Sequence, residues 1–250
     1  MNLTRIAMFS SALAIATTLQ GADTKDISRT VSLKPDGSVS LSTFKGTIRV
    51  TTWDRAEVQI HARIEAAGLS SADQRLFNGT DVLIDTSSDS VRIKTRHPNN
   101  SGHGENPWVH YEIQMPRTAR LSIRDHRCDA EIDDLAGELD LDTFRGKAEV
   151  RRLTGPLELK TFRGEVRVDF AKYAGTSYVD TFRGIVDIAM PKDSKFDLRT
   201  NSDRRGAIET DFPMMLHAVR RGMIVDGAVN GGGPSLRLAT FRGEIHLRAE

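Results

Sequence analysis

The chain has 250 residues, of which 38% are hydrophobic and 28% charged, a balance that excludes a collagen-like or wholly disordered protein. The formal net charge of +1 provides no whole-molecule field that would draw the chain to nucleic acid or to an anionic membrane. A single cysteine, Cys128, excludes an intramolecular disulfide and a cysteine-rich metal site.

The first 22 residues have the pattern of a secretory signal peptide. Arg5 is followed by an apolar stretch from Ile6 to Leu19 and then by the small residues Gly21 and Ala22. The stretch is shorter than the ~20 residues that a membrane-spanning helix needs. We therefore predict a signal peptide at residues 1–22 and a mature chain from residue 23 with no transmembrane segment. The mature chain is expected in the periplasm, outside the cell or on its surface, and a membrane anchor is the minor alternative.

Residues 23–116 predict an irregular first half of the domain. Pro35-Asp36-Gly37 is typical of a turn between two short strands. The pattern Ser71-x-x-Gln74 can cap one short helix that ends near Phe77. Period-two alternation then predicts strands near Val82–Asp85, Val91–Thr95 and Val109–Met115.

Residues 117–250 contain a repeat. The tetrapeptide Thr-Phe-Arg-Gly occurs at residues 143–146, 161–164, 181–184 and 240–243, with Thr-Phe-Lys-Gly at 43–46 as an altered copy. Apolar residues alternate on both sides of each copy, which is typical of strands on either side of a tight turn. Weaker copies lie at residues 121–132 and 198–208.

A unit of this length has no helix to cover its apolar residues, so it must stack on its neighbours. The sequence therefore predicts an all-β fold, a single β-solenoid (β-helix) over residues 23–250 with coils of about 18–22 residues. Outward charges support an in-register stack, because Asp142, Lys160 and Asp180 alternate in sign, as do Glu149, Arg167 and Asp187.

The chain resembles the bacterial secreted β-solenoid family of putative adhesins, of the head-GIN-like kind, catalogued as a domain of unknown function. The resemblance covers residues 27–250 and rests on four features: residues 46–58, the strand end Met115-Pro116, the repeated Thr-x-x-Gly units, and the closing run from Gly231 to Ile245. It implies a β-helix at the cell envelope without established catalytic residues. The Phe-Arg pair departs from the small polar residues usual in the family, so no binding role at these positions is inherited.

Stacking of the repeats predicts a strip of phenylalanine and basic side chains on the surface, with ring stacking between coils. We interpret this strip as a possible binding face for anionic envelope glycans, in which arginines donate hydrogen bonds and rings support sugars. The alternative is a structural ladder with solvated arginines. The strip consists of Phe44, Lys45, Arg127, Phe144, Arg145, Phe162, Arg163, Phe182, Arg183, Phe241 and Arg242.

No other motif predicts chemistry, and we expect no catalytic residues, no metal and no cofactor. His97, His103 and His110 lie near Glu105 without a metal-binding spacing. Cys128 is expected to be a buried, inert thiol, the alternative being a thiol activated by nearby basic groups.

The sequence therefore predicts a non-enzymatic envelope or surface interaction module. Its partner would be an anionic envelope polysaccharide or an envelope protein, and not nucleic acid. A structural or assembly protein without a small ligand, and a polysaccharide-active enzyme, are the alternatives.

Overall fold

The computed structural model describes residues 23–99, 104–203, 205–220 and 224–250, so the predicted signal peptide lies outside the described residues. The described part of the chain contains one helix, α1 (Ser71–Gly79), and eighteen strands that all join one mixed sheet. In these ranges no helix is long and apolar enough to cross a membrane. The strands are β1 (Thr24–Ser32), β2 (Ser38–Ser42), β3 (Lys45–Trp53), β4 (Glu57–Glu65), β5 (Asp81–Thr86), β6 (Ser90–Arg96), β7 (Trp108–Pro116), β8 (Arg120–Asp133), β9 (Leu139–Leu153), β10 (Leu157–Phe170), β11 (Ser177–Thr181), β12 (Ile185–Met190), β13 (Phe196–Ser202), β14 (Ala207–Thr210), β15 (Met214–Arg220), β16 (Ile224–Val229), β17 (Ser235–Thr240) and β18 (Glu244–Ala249).

The all-β prediction is confirmed, and the strands follow the alternation seen in the sequence. In β9, Leu139 and Leu141 are fully buried whereas Asp142 is exposed. The three strands predicted between the helix and the repeats correspond to β5, β6 and β7. The predicted helix is also present, but its N-cap is Ser70, whose hydroxyl accepts from the Asp73 amide at 3.1 Å.

The repeat units pair in parallel and in register. Thr161 in β10 lies opposite Thr143 in β9 and Thr181 in β11. Because β8, β9 and β10 are long, they contribute to two rows of strands, which run in the order β6-β2-β8-β9-β10-β11-β17-β13 and β7-β3-β8-β9-β10-β12-β18-β14. Both rows contribute side chains to one hydrophobic core.

The prediction of a single β-solenoid is wrong, because the chain does not advance coil by coil. The strands β17 and β18 lie between β11/β12 and β13/β14, and β2 and β3 lie between β6/β7 and β8. Both ends of the sheet are antiparallel: β4 pairs with β7 and carries β1, β5 pairs with β6, and β16 joins β13 to β15.

The shared phenylalanine accounts for the position of the last repeat unit, which lies next to the unit of Phe182 and so separates that unit from the weaker copy that follows it in the chain. The last Thr-Phe-Arg-Gly unit packs against the unit that contains Phe182, and the Phe182 and Phe241 ring centroids are 4.9 Å apart. The weaker copy at residues 198–208 has no phenylalanine that could stack on Phe182. It lies on the outer side of the unit that contains Phe241. In that copy Ser202, and not Thr200, lies opposite Thr240.

Glycine is required at position 146, inside β9, because neighbouring units approach each other closely there. Gly146 has φ +143°, and a Cβ placed there would lie 1.8 Å from the carbonyl oxygen of Cys128. Backbone contact of this kind leaves no room for a side chain. It also fixes the position of the Phe-Arg pair that precedes the glycine.

Candidate ligand-binding ridge and groove

Six stacked rings form a continuous ridge along the repeats, which we call the aromatic ladder. Neighbouring ring centroids lie 4.6–4.9 Å apart, and neighbouring ring planes deviate by 3–14°. This spacing matches the distance between neighbouring strands, so the sheet itself sets the stack. In spatial order the ladder consists of Phe44, His126, Phe144, Phe162, Phe182 and Phe241.

Sequence reasoning identified the five phenylalanines but missed His126. Its ring lies between Phe44 and Phe144, at 4.8 and 4.7 Å from their centroids. The signal was present, because the alignment that places Arg127 opposite Arg145 also places His126 opposite Phe144. Burial, together with the positive charges of Arg127 and Arg145, lowers the pKa of His126, which favours the neutral ring.

An arginine follows each ladder ring except Phe44, and we call these five residues the arginine column. Their guanidinium groups are exposed or half-buried, and four of them lie 5.3–5.8 Å from the centroid of the preceding phenylalanine. Among the described residues, none of the five forms an ion pair, whereas Arg151 and Arg167 pair with carboxylates on their own strands. The arginine column consists of Arg127, Arg145, Arg163, Arg183 and Arg242.

Lys45 does not belong to the exposed strip, contrary to the prediction. Its side chain is only 3% exposed, and its ammonium group lies 2.7 Å from Glu105 and 4.0 Å from the Trp108 ring centroid. Glu105 lies in the segment that leads into β7, and Trp108 is the first residue of that strand. Lys45 is therefore committed to contacts within the protein, and the basic part of the strip begins at Arg127.

The geometry of the aromatic ladder changes which part of each ring a ligand can touch. Both faces of the inner rings are covered by their neighbours. A sugar therefore cannot lie flat on them, although we expected from the sequence that the rings would support sugars in this way. The ring edges remain accessible, and Phe44, Phe182 and Phe241 are 36–40% exposed. Ring edges carry partial positive charge, which favours contact with oxygen atoms.

A groove of about 520 Å³ runs along one side of the aromatic ladder. Its opposite wall carries Ser42, Arg124, Asp142, Lys160 and Asp180. Their strands are neighbours in the sheet, so the charges of Asp142, Lys160 and Asp180 alternate along it as predicted, and Arg124 extends the alternation by one strand. No two of these four charged side chains form an ion pair of 4.0 Å or less. Lys160 instead bonds Glu158 on its own strand at 2.6 Å, and Arg124 lies 3.9 Å from Asp140.

Buried polar atoms without partners occur at this site. The Arg145 Nε, the Thr161 hydroxyl and the His126 Nδ1 are buried and have no hydrogen-bond partner in the part of the chain that the structure describes. Such atoms are uncommon in native proteins, where a water molecule or a ligand normally satisfies them. Thr161 and His126 line the groove, so two of these three atoms lie just beneath the groove surface.

Asp125 lies in the groove at the position that threonine occupies in the regular repeats. Its carboxylate accepts from the Cys128 amide and from the Thr143 hydroxyl, both at 3.1 Å. Burial raises the pKa of Asp125 to about 7, and the nearby Asp142 and Asp129 act in the same direction. Asp125 is therefore close to half protonated at neutral pH.

The remaining candidates of the sequence do not form a metal or redox site in the described residues. His97 lies edge-on to Phe44 at 6.0 Å, His110 bonds Thr47 at 2.9 Å, and His103 lies outside the described residues. The described ranges contain no cluster of three or more metal-ligating side chains. Cys128 is buried, in agreement with the first of the two predicted alternatives, and burial raises the pKa of its thiol.

No protein-family model matches the chain, and no curated protein matches it in sequence. Among solved structures it is similar to a putative cell adhesion protein from Clostridium sporogenes (TM-score 0.49, 10% identity, covering 91% of this chain and all of that chain). It is also similar to a putative adhesin from Bacteroides fragilis (TM-score 0.35, 13% identity, 90% and 97% covered). A third is a putative lipid binding protein from Parabacteroides distasonis (TM-score 0.26, 11% identity, 91% and 98% covered). Likeness at this level does not establish a family, so the head-GIN-like resemblance stays a prediction.

Proposed function

We propose that this chain is an exported, non-catalytic binding module that holds an anionic glycan of the cell envelope against the aromatic ladder and the arginine column. The observation that carries the proposal is the arginine column itself. Five guanidinium groups follow one another on neighbouring strands without an acidic partner among the described residues. Like charges on adjacent strands oppose pairing, so an anionic partner along the column would stabilise the arrangement.

The chemistry of the site fits a linear, acidic carbohydrate. Guanidinium groups donate forked hydrogen bonds to carboxylates and phosphates. Ring edges in the groove provide contacts for the many oxygen atoms of a sugar chain. The strands repeat these groups at ~4.8 Å, which suits a polymer with regularly spaced charges better than a compact ligand.

Binding assays on arginine variants test this proposal. The purified protein is incubated with peptidoglycan, lipopolysaccharide and acidic polysaccharides at low and high salt. We expect binding that weakens with salt and is lost when Arg127, Arg163 and Arg242, the three exposed members of the column, are replaced by alanine. A matched control replaces three other exposed arginines, Arg75→Ala, Arg199→Ala and Arg237→Ala, and should retain binding. Equal loss in both triple variants would overturn the proposal.

A structural role without a small ligand is the second candidate, and the close ring contact favours it. Ring centroids only 4.6–4.9 Å apart show that the phenylalanines contact one another whether or not a ligand is present. Under this alternative the open edges of β1 and β15 would pair with other chains. It predicts that the arginine variant keeps every interaction of the parent protein and that assembly depends on protein concentration.

Our proposal also holds that the chain is not an enzyme. Along the groove Lys160 lies between Asp142 and Asp180, so two strand spacings of ~4.8 Å separate these carboxylates by ~10 Å, well beyond a retaining pair and just beyond an inverting pair. The one groove carboxyl with a strongly raised pKa, Asp125, already accepts two hydrogen bonds from the protein. Release of shortened or unsaturated sugars from any envelope polysaccharide would contradict this part of the proposal.

A further inference from the structure

The alternation of charge along the groove wall ends at Ser42 on one side and at Ala239, which lies opposite Asp180, on the other. From Arg124 onward the outward side chains on neighbouring strands read positive, negative, positive, negative, through Asp142 and Lys160 to Asp180. In the other direction the next residue is Ser42, and beyond it comes Lys94. Where the pattern would place an acidic side chain, two cations lie on either side of a serine.

We propose that a phosphate group of a ligand occupies the position above Ser42, between Lys94 and Arg124. All three side chains are exposed on the same face of the sheet. Neighbouring strands lie ~4.8 Å apart, so both long side chains can reach an anion above the serine. A second cation, Arg92, lies on β6 two residues before Lys94 and opposite Ser40.

The surrounding charges leave this position positive. In the described residues neither Lys94 nor Arg92 forms an ion pair of 4.0 Å or less, and Leu83 is the cross-strand neighbour of Lys94. Arg92 has Asp85 opposite it on β5. The nearest carboxylate to Arg124 is that of Asp140, at the long distance of 3.9 Å.

The donor set favours phosphate over a monovalent carboxylate. A guanidinium fork and an ammonium group lie on either side of a hydroxyl, and a phosphate monoester has three acceptor oxygens and a charge near −2 at neutral pH. Ser42 and Arg124 also line the groove beside the aromatic ladder. The geometry therefore places the phosphate at the β6 end of that groove, where a sugar attached to it can extend along the ring edges.

Titration with inorganic phosphate and with glucose 1-phosphate, followed by amide NMR shifts at low salt, tests this site directly. We expect saturable shifts at Ser42, Lys94 and Arg124 for both compounds. The double variant Lys94→Gln, Arg124→Gln should lose at least tenfold in affinity. The matched control is the double variant Lys195→Gln, Arg199→Gln, which removes one exposed cation just before β13 and one within it. Its affinity for phosphate should stay within twofold of the parent.

Ser42→Asp provides a second test, because it supplies the missing anion within the protein. We expect this variant to lose phosphate binding and to melt at a higher temperature than the parent. Unchanged phosphate binding in Ser42→Asp would overturn the proposal, and so would equal loss in the two double variants or an absence of saturable shifts with both compounds. The phosphate site does not rest on the proposed glycan binding. The triple variant of the arginine column should still bind inorganic phosphate, so either proposal can fail while the other holds.

Discussion

Replacing Asp125 by threonine should stabilise the protein at neutral pH. Asp125 is the carboxyl group in a column otherwise filled by buried threonines, and burial raises its pKa to about 7. The bond that Asp125 accepts from the Cys128 amide is available to threonine, since the Thr240 hydroxyl accepts from the Gly243 amide at 2.9 Å in the equivalent position. The substitution therefore removes the ionisable group and keeps the hydrogen bond from the backbone.

The size of the effect follows from the pKa difference. The ordinary value is 3.8 and the folded value is about 7, a difference of about three units or roughly 4 kcal/mol at ~1.4 kcal/mol per unit. Because the folded pKa is raised, the unfolded chain loses its proton first as the pH rises. The stability of the parent is thus fully present below about pH 4 and falls until about pH 7.

Urea unfolding from pH 3 to pH 8 measures this difference. Relative to the parent, Asp125→Thr should gain about 4 kcal/mol in free energy of unfolding at pH 8, and the part of the difference that depends on pH should vanish at pH 3. Asp54→Thr, an exposed carboxyl that is not among the groups shifting the pKa of Asp125, serves as the control and should show no comparable pH dependence. A gain in Asp125→Thr that is the same at pH 3 and pH 8 would refute the reasoning.

Three further substitutions test the ladder and its ends. Phe162→Ala removes two ring contacts and Phe241→Ala removes one, so at about 0.5–1.5 kcal/mol per stacked pair the first should cost about twice the second in urea unfolding; equal or negligible costs would show that stacking does not stabilise the fold. His126→Phe should raise the melting temperature more at pH 5.5 than at pH 8. The reason is that the lowered pKa of His126 makes the parent lose stability as the pH falls, since the unfolded chain takes up the proton first. A change in melting temperature that does not depend on pH would contradict this. Lys45→Ala should cost about 1–2 kcal/mol through lost contacts with Glu105 and the adjacent aromatic ring, while glycan binding by the folded variant stays at the parent level; loss of binding at unchanged stability would return Lys45 to the binding strip.

Local patterns in the sequence were sufficient to predict the strands and much of their register. Period-two alternation marks Leu139 and Leu141 as buried, and the repeated tetrapeptide places Thr161 opposite Thr143. The order of the units was not predictable in this way, since alternation carries no information on which unit neighbours which. The preference of the last unit for Phe182 over the weaker copy depends on tertiary ring contact, and this is where the solenoid prediction was wrong.

The residues of the candidate site were largely predictable from the sequence, but the direction of their side chains was not. Repetition identified the phenylalanines and arginines, but the inward turn of Lys45 depends on Glu105, about 60 residues away in the chain. Sequence spacing also left open whether the ring faces are free, and the stacked geometry restricts contact to the edges. The break in charge alternation at Ser42 needed the observed pairing of β2 with both β6 and β8, which are distant in sequence.

The most direct test of the central claim is the dependence of affinity on glycan length. Calorimetric titration with oligogalacturonates of increasing length, from one sugar to six, probes whether successive arginines act together. If the arginine column binds an extended anionic chain, each added sugar should strengthen binding until the chain spans Arg127 to Arg242, and salt should weaken the longest chains most. An affinity that does not change from the monosaccharide to the hexamer, or an absence of binding at every length, would contradict the account.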